Sequence, residues 1–143
     1  MGGRRRSLVS ITDLDRTDVA RIMRLGNRFS EVMDRDIKKV PTLRGRTVIN
    51  LFVESSTRTA TSFELAGKRL SADVVNVKCS CSSMDKGETL KDTVITLSSY
   101  APDVIVVRHA SAGACQLAAR HSAAAIVNAG AGKNEHPTQT LMD

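Results

Sequence analysis

Aromatic side chains are scarce. The 143-residue chain has no tryptophan, one tyrosine (Tyr100) and three phenylalanines (Phe29, Phe52 and Phe63). A nucleic-acid-binding module needs aromatic faces for stacking beside its basic stripe, and three of these four sit in apolar helix or strand patterns. Long apolar runs are also missing. None approaches the ~20 residues of a membrane helix. No apolar core follows the basic start, so a secretory signal is not expected. Three cysteines make an odd number, and Cys79 and Cys81 form C-x-C with no second pair at zinc spacing. Reduced thiols in a cytoplasmic protein are the expectation. The run Gly130-Ala131-Gly132-Lys133 is followed by Asn134, which breaks the Walker spacing. No dinucleotide glycine fingerprint, zinc or calcium cluster, Ser/His/Asp order, repeat or low-complexity tract is found.

What is present reads as an ordinary folded domain, 41% hydrophobic and 25% charged. The length suits one domain with a real core. The formal charge of +6 invites a polyanion partner, but the excess lies entirely in residues 1–46, upstream of every polar loop singled out below. The remaining chain is charge-neutral.

After a start expected to fray over Met1–Ser7, Thr17–Asp34 reads as a helix, with Thr17 as N-cap. Thr47–Val53 is short, β-branched and almost wholly apolar, as a strand buried on both faces must be. The pattern then alternates. A helix from Thr57 to Leu70 leads to a strand at Asp73–Val77. A helix from Thr89, capped with Asp92, leads to a strand at Asp103–Val107. A helix capped by Ser111 and ending near His121 leads to a strand at Ala125–Asn128, and Pro137 opens a last helix. The expected fold is α/β: an open parallel sheet of about four strands flanked by helices. Ligands of such sheets lie beyond the carboxyl ends of the strands. The loops there are 54–59, 78–88, 108–111 and 129–136.

Four of their segments carry suitable chemistry. Ser55-Ser56-Thr57-Arg58-Thr59 brings hydroxyls, helix N–H groups and a guanidinium to one helix start, which suits a phosphate. Ser82–Glu88 sets Ser83 and Lys86 in a long polar loop. Arg108-His109 ends a buried strand. His136-Pro137-Thr138-Gln139 opens a helix with a histidine. Each also has a plain structural reading: a Ser/Thr cap, a solvated loop, a sheet rim, a core histidine.

Ser56-Thr57-Arg58-Thr59 with Ser62-Phe63-Glu64, then Lys86-Gly87-Glu88-Thr89, Arg108-His109 and His136-Pro137-Thr138-Gln139 form an ordered set. In that order and spacing it resembles the carbamoyltransferases, from about Ile11 to Asp143. Thr138 and the serine-plus-lysine loop resemble the aspartate-specific branch, because ornithine-type members typically carry cysteine at the position of Thr138 and lack the lysine loop. The resemblance implies that residues 1–143 are the carbamoyl-phosphate-binding domain, and that the aspartate-binding second domain is absent. It implies that Ser56, Thr57, Arg58 and Thr59 hold the phosphate. Thr59, Arg108 and His136 would reach the carbamoyl oxygen, and Gln139 the amide end. Ser83 and Lys86 would enter an adjacent subunit's site. Carbamoyl phosphate and L-aspartate would be the substrates, with no metal or organic cofactor. The assembly would be a homotrimer with shared active sites, with room for regulatory chains, and no nucleic-acid or membrane partner. The product would be N-carbamoyl-L-aspartate, for pyrimidine biosynthesis.

The fragment alone is expected to bind and not to turn over efficiently. Three positions depart from the family pattern: Ala60 for arginine, Ala131 for an acid and Ala110 for proline. The first two losses read as a missing charge pair near the site. An ornithine-type or other amino-acid carbamoyltransferase and a non-catalytic paralogue are the alternatives.

Overall fold

The runs at 47–52 and 104–107 become the middle of one parallel sheet because each is apolar on both faces and so has to be covered twice. The computed structural model describes residues 6–78, 89–133 and 135–142. Its strands are β1 (Thr47–Phe52), β2 (Asp73–Lys78), β3 (Val104–His109) and β4 (Ala125–Ala131), in the order β2-β1-β3-β4. β1 is central: Ile49 pairs in register with Val75 on one side and Ile105 on the other, and all three ladders are parallel. Among the described residues the α-helices are α1 (Arg16–Ser30), α2 (Thr57–Arg69), α3 (Leu90–Ser98), α4 (Ala114–His121) and α5 (Pro137–Met142).

The order decides where the helices go. From β1 the chain steps outward to β2, and from β3 it steps the opposite way to β4. Right-handed crossovers running in opposite directions cover opposite faces. The core divides accordingly. Ile49, Leu51, Ile105, Val107 and Ile126 pack with Leu90 and Val94 of α3 and Cys115 and Ala118 of α4. Val48, Phe52 and Val106 pack on the other face with Ala60 and Phe63 of α2. Leu51, Ile105 and Ile126 are fully buried, and burying such a side chain contributes about 1.5–3 kcal/mol.

Several boundaries differ from the sequence expectation. Asp15, not Thr17, caps α1. Its carboxylate accepts from Asp18 N at 2.8 Å, and Asp18 accepts from Asp15 N at 3.0 Å, a reciprocal box that Thr17 has no partner to form. Thr89 does cap α3, accepting from Asp92 N at 3.2 Å. Ser111 caps nothing: α4 starts behind Gly113, and Ser111 N donates to His109 Nδ1 at 2.9 Å. β3 runs on through Arg108 and His109, and β4 through Ala131. The pairing of His109 with Ala131 holds both extensions, across an irregularity after Val107.

Arg6 and Ser7, expected to fray, are tied down. Arg6 reaches Asp18 at 2.6 Å, and its guanidinium holds the Asp18 carboxyl down to about 2. Leu8 N donates to the Ile126 carbonyl at 2.8 Å, and Asn128 N to the Leu8 carbonyl at 2.9 Å. The segment thus lies as a strap along the outer edge of β4, bridged in parallel between Leu8 and Val127.

Candidate functional site

Because the connections leave β1 and β3 in opposite directions, the carboxyl ends of these two parallel strands form the switch-point crevice, the place where doubly wound sheets hold their ligands. The two rims are stitched together there: Val53 N donates to the Arg108 carbonyl at 2.9 Å. Everything proposed from the sequence that the structure describes lies on or beside these ends.

On the β1 side, Ser56 takes the N-cap position of α2 without capping it. Its hydroxyl donates instead to Thr59 Oγ1 at 3.1 Å. That leaves the first N–H groups of a 13-residue helix with no side-chain cap, and no acidic residue stands in its first turn. The positive end of the helix dipole is therefore not neutralised. Arg58 is exposed, and its guanidinium has no hydrogen-bond or ion-pair partner among the described residues. A cavity of about 530 Å³ adjoins this turn, lined by Ser55, Ser56, Thr57, Ala60, Glu64 and Asn76.

On the β3 side, Arg108 is partly buried. Its Nη1 donates to the Ala129 carbonyl at 2.8 Å, and its buried Nε finds no acceptor among the described residues. Gly130 makes this fit possible. It sits at φ +120°, and a Cβ there would stand 2.5 Å from Arg108 Nη1 and 3.7 Å from His136 Cδ2. Only glycine tolerates both the dihedral and the approach. The same figures set Arg108 and His136 side by side around Gly130.

His136 is held below its ordinary pKa, first by burial, then by the charge of Arg108, with a backbone hydrogen bond opposing. It is therefore neutral near pH 7. Its Nδ1 lies 3.0 Å from the Thr138 hydroxyl. When that hydroxyl donates, the ring proton sits on Nε2, which becomes a donor. His109 is also pushed down by burial, against the pull of Glu54. Its Nδ1 is occupied by Ser111 N, so His109 serves its own loop.

Gln139 is exposed in the first turn of α5, where its backbone N donates to the His136 carbonyl at 3.0 Å. Ser83 and Lys86 lie outside the described residues. The two alanine departures do not face each other: Ala60 packs against the core on one face of the sheet, and Ala131 belongs to the core on the other. Asn128, Gly130 and the Ala129 carbonyl were missed as site-forming groups. The visible signal was an asparagine and a glycine closing a short apolar run. Among the described residues, no group of three or more His, Cys, Asp or Glu is placed to hold a metal ion.

Comparison with known proteins adds three findings. Residues 6–143 match the family model for the aspartate/ornithine carbamoyltransferase, carbamoyl-P binding domain. The chain is 57% identical over 139 residues to the aspartate carbamoyltransferase catalytic subunit of Magnetococcus marinus, covering 97% of this chain and 42% of that one. It is 51% identical over 143 residues to the corresponding subunit of Citrifermentans bemidjiense, covering 100% and 46%. Among solved structures, aspartate transcarbamoylase from Trypanosoma cruzi in complex with carbamoyl phosphate and aspartate superposes with TM-score 0.87. That chain is 40% identical, with coverage of 96% and 42%. The chain thus spans less than half the length of the relatives it matches.

Proposed function

The chain belongs to the aspartate/ornithine carbamoyltransferase family, and from that premise we propose that its switch-point crevice binds carbamoyl phosphate. In the longer protein, the carbamoyl group would pass to the amine of L-aspartate. The products would be N-carbamoyl-L-aspartate and phosphate, in pyrimidine biosynthesis. The observation that carries this reading is the Arg108 guanidinium held beside a neutral His136, at a strand end bonded to the segment that leads from β1 into the uncapped start of α2.

The roles follow from charge and geometry. Ser56, Thr57 and Thr59, with the free N–H groups of α2, surround the phosphate, and Arg58 neutralises it. Arg108, His136 Nε2 and the Thr59 hydroxyl donate to the carbamoyl oxygen, while Gln139 takes the amide end. The aspartate amine attacks the carbamoyl carbon, so a C–N bond forms and the oxygen gains negative charge. As the carbonyl re-forms, the C–O bond breaks and its electron pair leaves with the phosphate. The proton that the amine loses passes to the departing phosphate, so the transfer balances. Donors fixed in advance on the developing oxyanion are worth roughly 2.7–4 kcal/mol each in comparable sites. A neutral His136 can do this because, with Nδ1 accepting from the Thr138 hydroxyl, Nε2 carries the ring's one proton and donates.

Ser83 and Lys86 would complete the site of a neighbouring subunit. The enzyme would then be a homotrimer, open to regulatory chains, and would work in the cytoplasm. Residues 1–143 would be its carbamoyl-phosphate domain, with aspartate bound by a second domain. The test is calorimetric titration of this chain with carbamoyl phosphate and its stable analogue phosphonoacetamide. Transfer assays on the full-length protein would then offer aspartate and ornithine separately. Saturable binding and transfer to aspartate are expected. Silence at about tenfold above the ordinary upper range of substrate affinities, near 1 mM, would favour a non-catalytic paralogue. Transfer to ornithine would favour the other branch.

A further inference from the structure

The strap at the amino end touches the site from behind, through two separate bridges. The first passes through Asn128, which is 2% exposed. Its Nδ2 donates to the Val9 carbonyl at 2.9 Å, and its Oδ1 accepts from Gly130 N at 2.8 Å. This side chain fixes the backbone turn whose glycine leaves room for Arg108 and whose preceding carbonyl, that of Ala129, holds Arg108 Nη1. The second bridge passes through Glu135, the residue before His136. Its Oε1 accepts from Ser10 Oγ at 2.9 Å and from Ile11 N at 3.3 Å. The strap itself is stiff: Asp13 Oδ2 accepts from both Val9 N and Ser10 N at 2.9 Å.

We infer that the strap, residues 6–13, is a positioning element that sets Arg108 through Asn128 and His136 through Glu135. Among the described residues no bridge of this kind reaches the α2 turn. The strap therefore governs the carbonyl end of the ligand and leaves the phosphate end alone. This deepens the proposed function and rests on it, since that reading assigns Arg108 and His136 to the carbamoyl oxygen.

The difference between the two ends supplies the test. The chain is titrated separately with phosphonoacetamide and with inorganic phosphate. Ser10→Ala and Glu135→Ala are expected to weaken phosphonoacetamide by about tenfold, the effect of disturbing one charge-assisted hydrogen bond. Inorganic phosphate affinity should stay within about twofold, a change too small to count as a lost hydrogen bond. Glu135→Gln keeps the Oε1 acceptor and should restore the wild-type ratio, and Asn128→Ala should reproduce the split. If Asn128→Ala fails to fold, the variants at Ser10 and Glu135, which are only partly buried, still decide. Equal weakening of both ligands, or no change in either, overturns the inference. If the wild-type chain binds neither ligand, the functional reading falls by itself. The inference is then read from the NMR signals of Arg108 Nε–H and the His136 ring. These should move in Glu135→Ala and return in Glu135→Gln; signals that stay put overturn it.

Discussion

Replacing Gly130 by alanine tests the site at its tightest point. The new Cβ would stand 2.5 Å from Arg108 Nη1 and 3.2 Å from Cζ, roughly 1 Å inside an ordinary contact of 3.5–4.0 Å. Arg108 has to retreat by about that much. Its 2.8 Å bond to the Ala129 carbonyl then stretches beyond the hydrogen-bond range. The backbone at φ +120° adds strain of about 1–3 kcal/mol for a residue with a side chain. In a chain of 143 residues that corresponds to a Tm lower by about 3–10 °C. Calorimetry should also show phosphonoacetamide binding weakened by at least about tenfold, as for loss of an oriented charged donor. In an Arg108→Ala background the clash disappears, so adding Gly130→Ala should cost only the strain and leave the residual affinity unchanged. Additive losses of affinity in the double variant would refute the reasoning. So would a Gly130→Ala chain that binds as tightly as wild type.

Arg58→Ala should weaken inorganic phosphate by about ten- to a hundredfold, the range for a charged hydrogen bond, with Tm unchanged because Arg58 is exposed and unpaired among the described residues. A large Tm shift would mark Arg58 as structural. Stability should depend on pH through His136 and His109, both held below their ordinary value of 6.5. A depressed histidine means that the unfolded chain takes up a proton first. Stability is then level above pH 6.5 and falls as pH drops through it toward the folded values. Thermal melts between about pH 8 and pH 5 should show that slope, and His136→Gln should flatten it; an unaltered slope would remove His136 as its source. Gly67→Ala sets two effects against each other. Alanine favours the helix by about 1 kcal/mol, but its Cβ would meet Val74 Cγ2 at 2.6 Å. Overpacking of about 1–3 kcal/mol should win, and a raised Tm would show that β2, an edge strand, yields instead.

The order of elements was readable from local pattern alone. β1 and β3 are apolar on both faces, and only a strand covered on both sides has that composition. Helices α2 and α3 begin within a residue of their expected starts, because the helix starts carry their signals in adjacent residues. The candidate residues were also legible as chemical types at loop positions. Thr17 failed as a cap because Asp15 formed the better box with Asp18, and Ser111 failed because the chain turns helical only behind Gly113.

The sequence by itself determined a parallel α/β sheet, the rim on which its polar loops lie, and the residues suited to an anion and a carbonyl. Only the tertiary structure decided the order β2-β1-β3-β4, and with it the crevice between β1 and β3. It extended β3 and β4 to His109 and Ala131, set Arg108 against Gly130 and His136, and brought Val9 and Ser10 to Asn128 and Glu135. The physical reason is range. A residue's own neighbours set its helix or strand preference, but a ladder or a side-chain bridge joins groups about a hundred residues apart. Its energy depends on closing that loop, which no local pattern records.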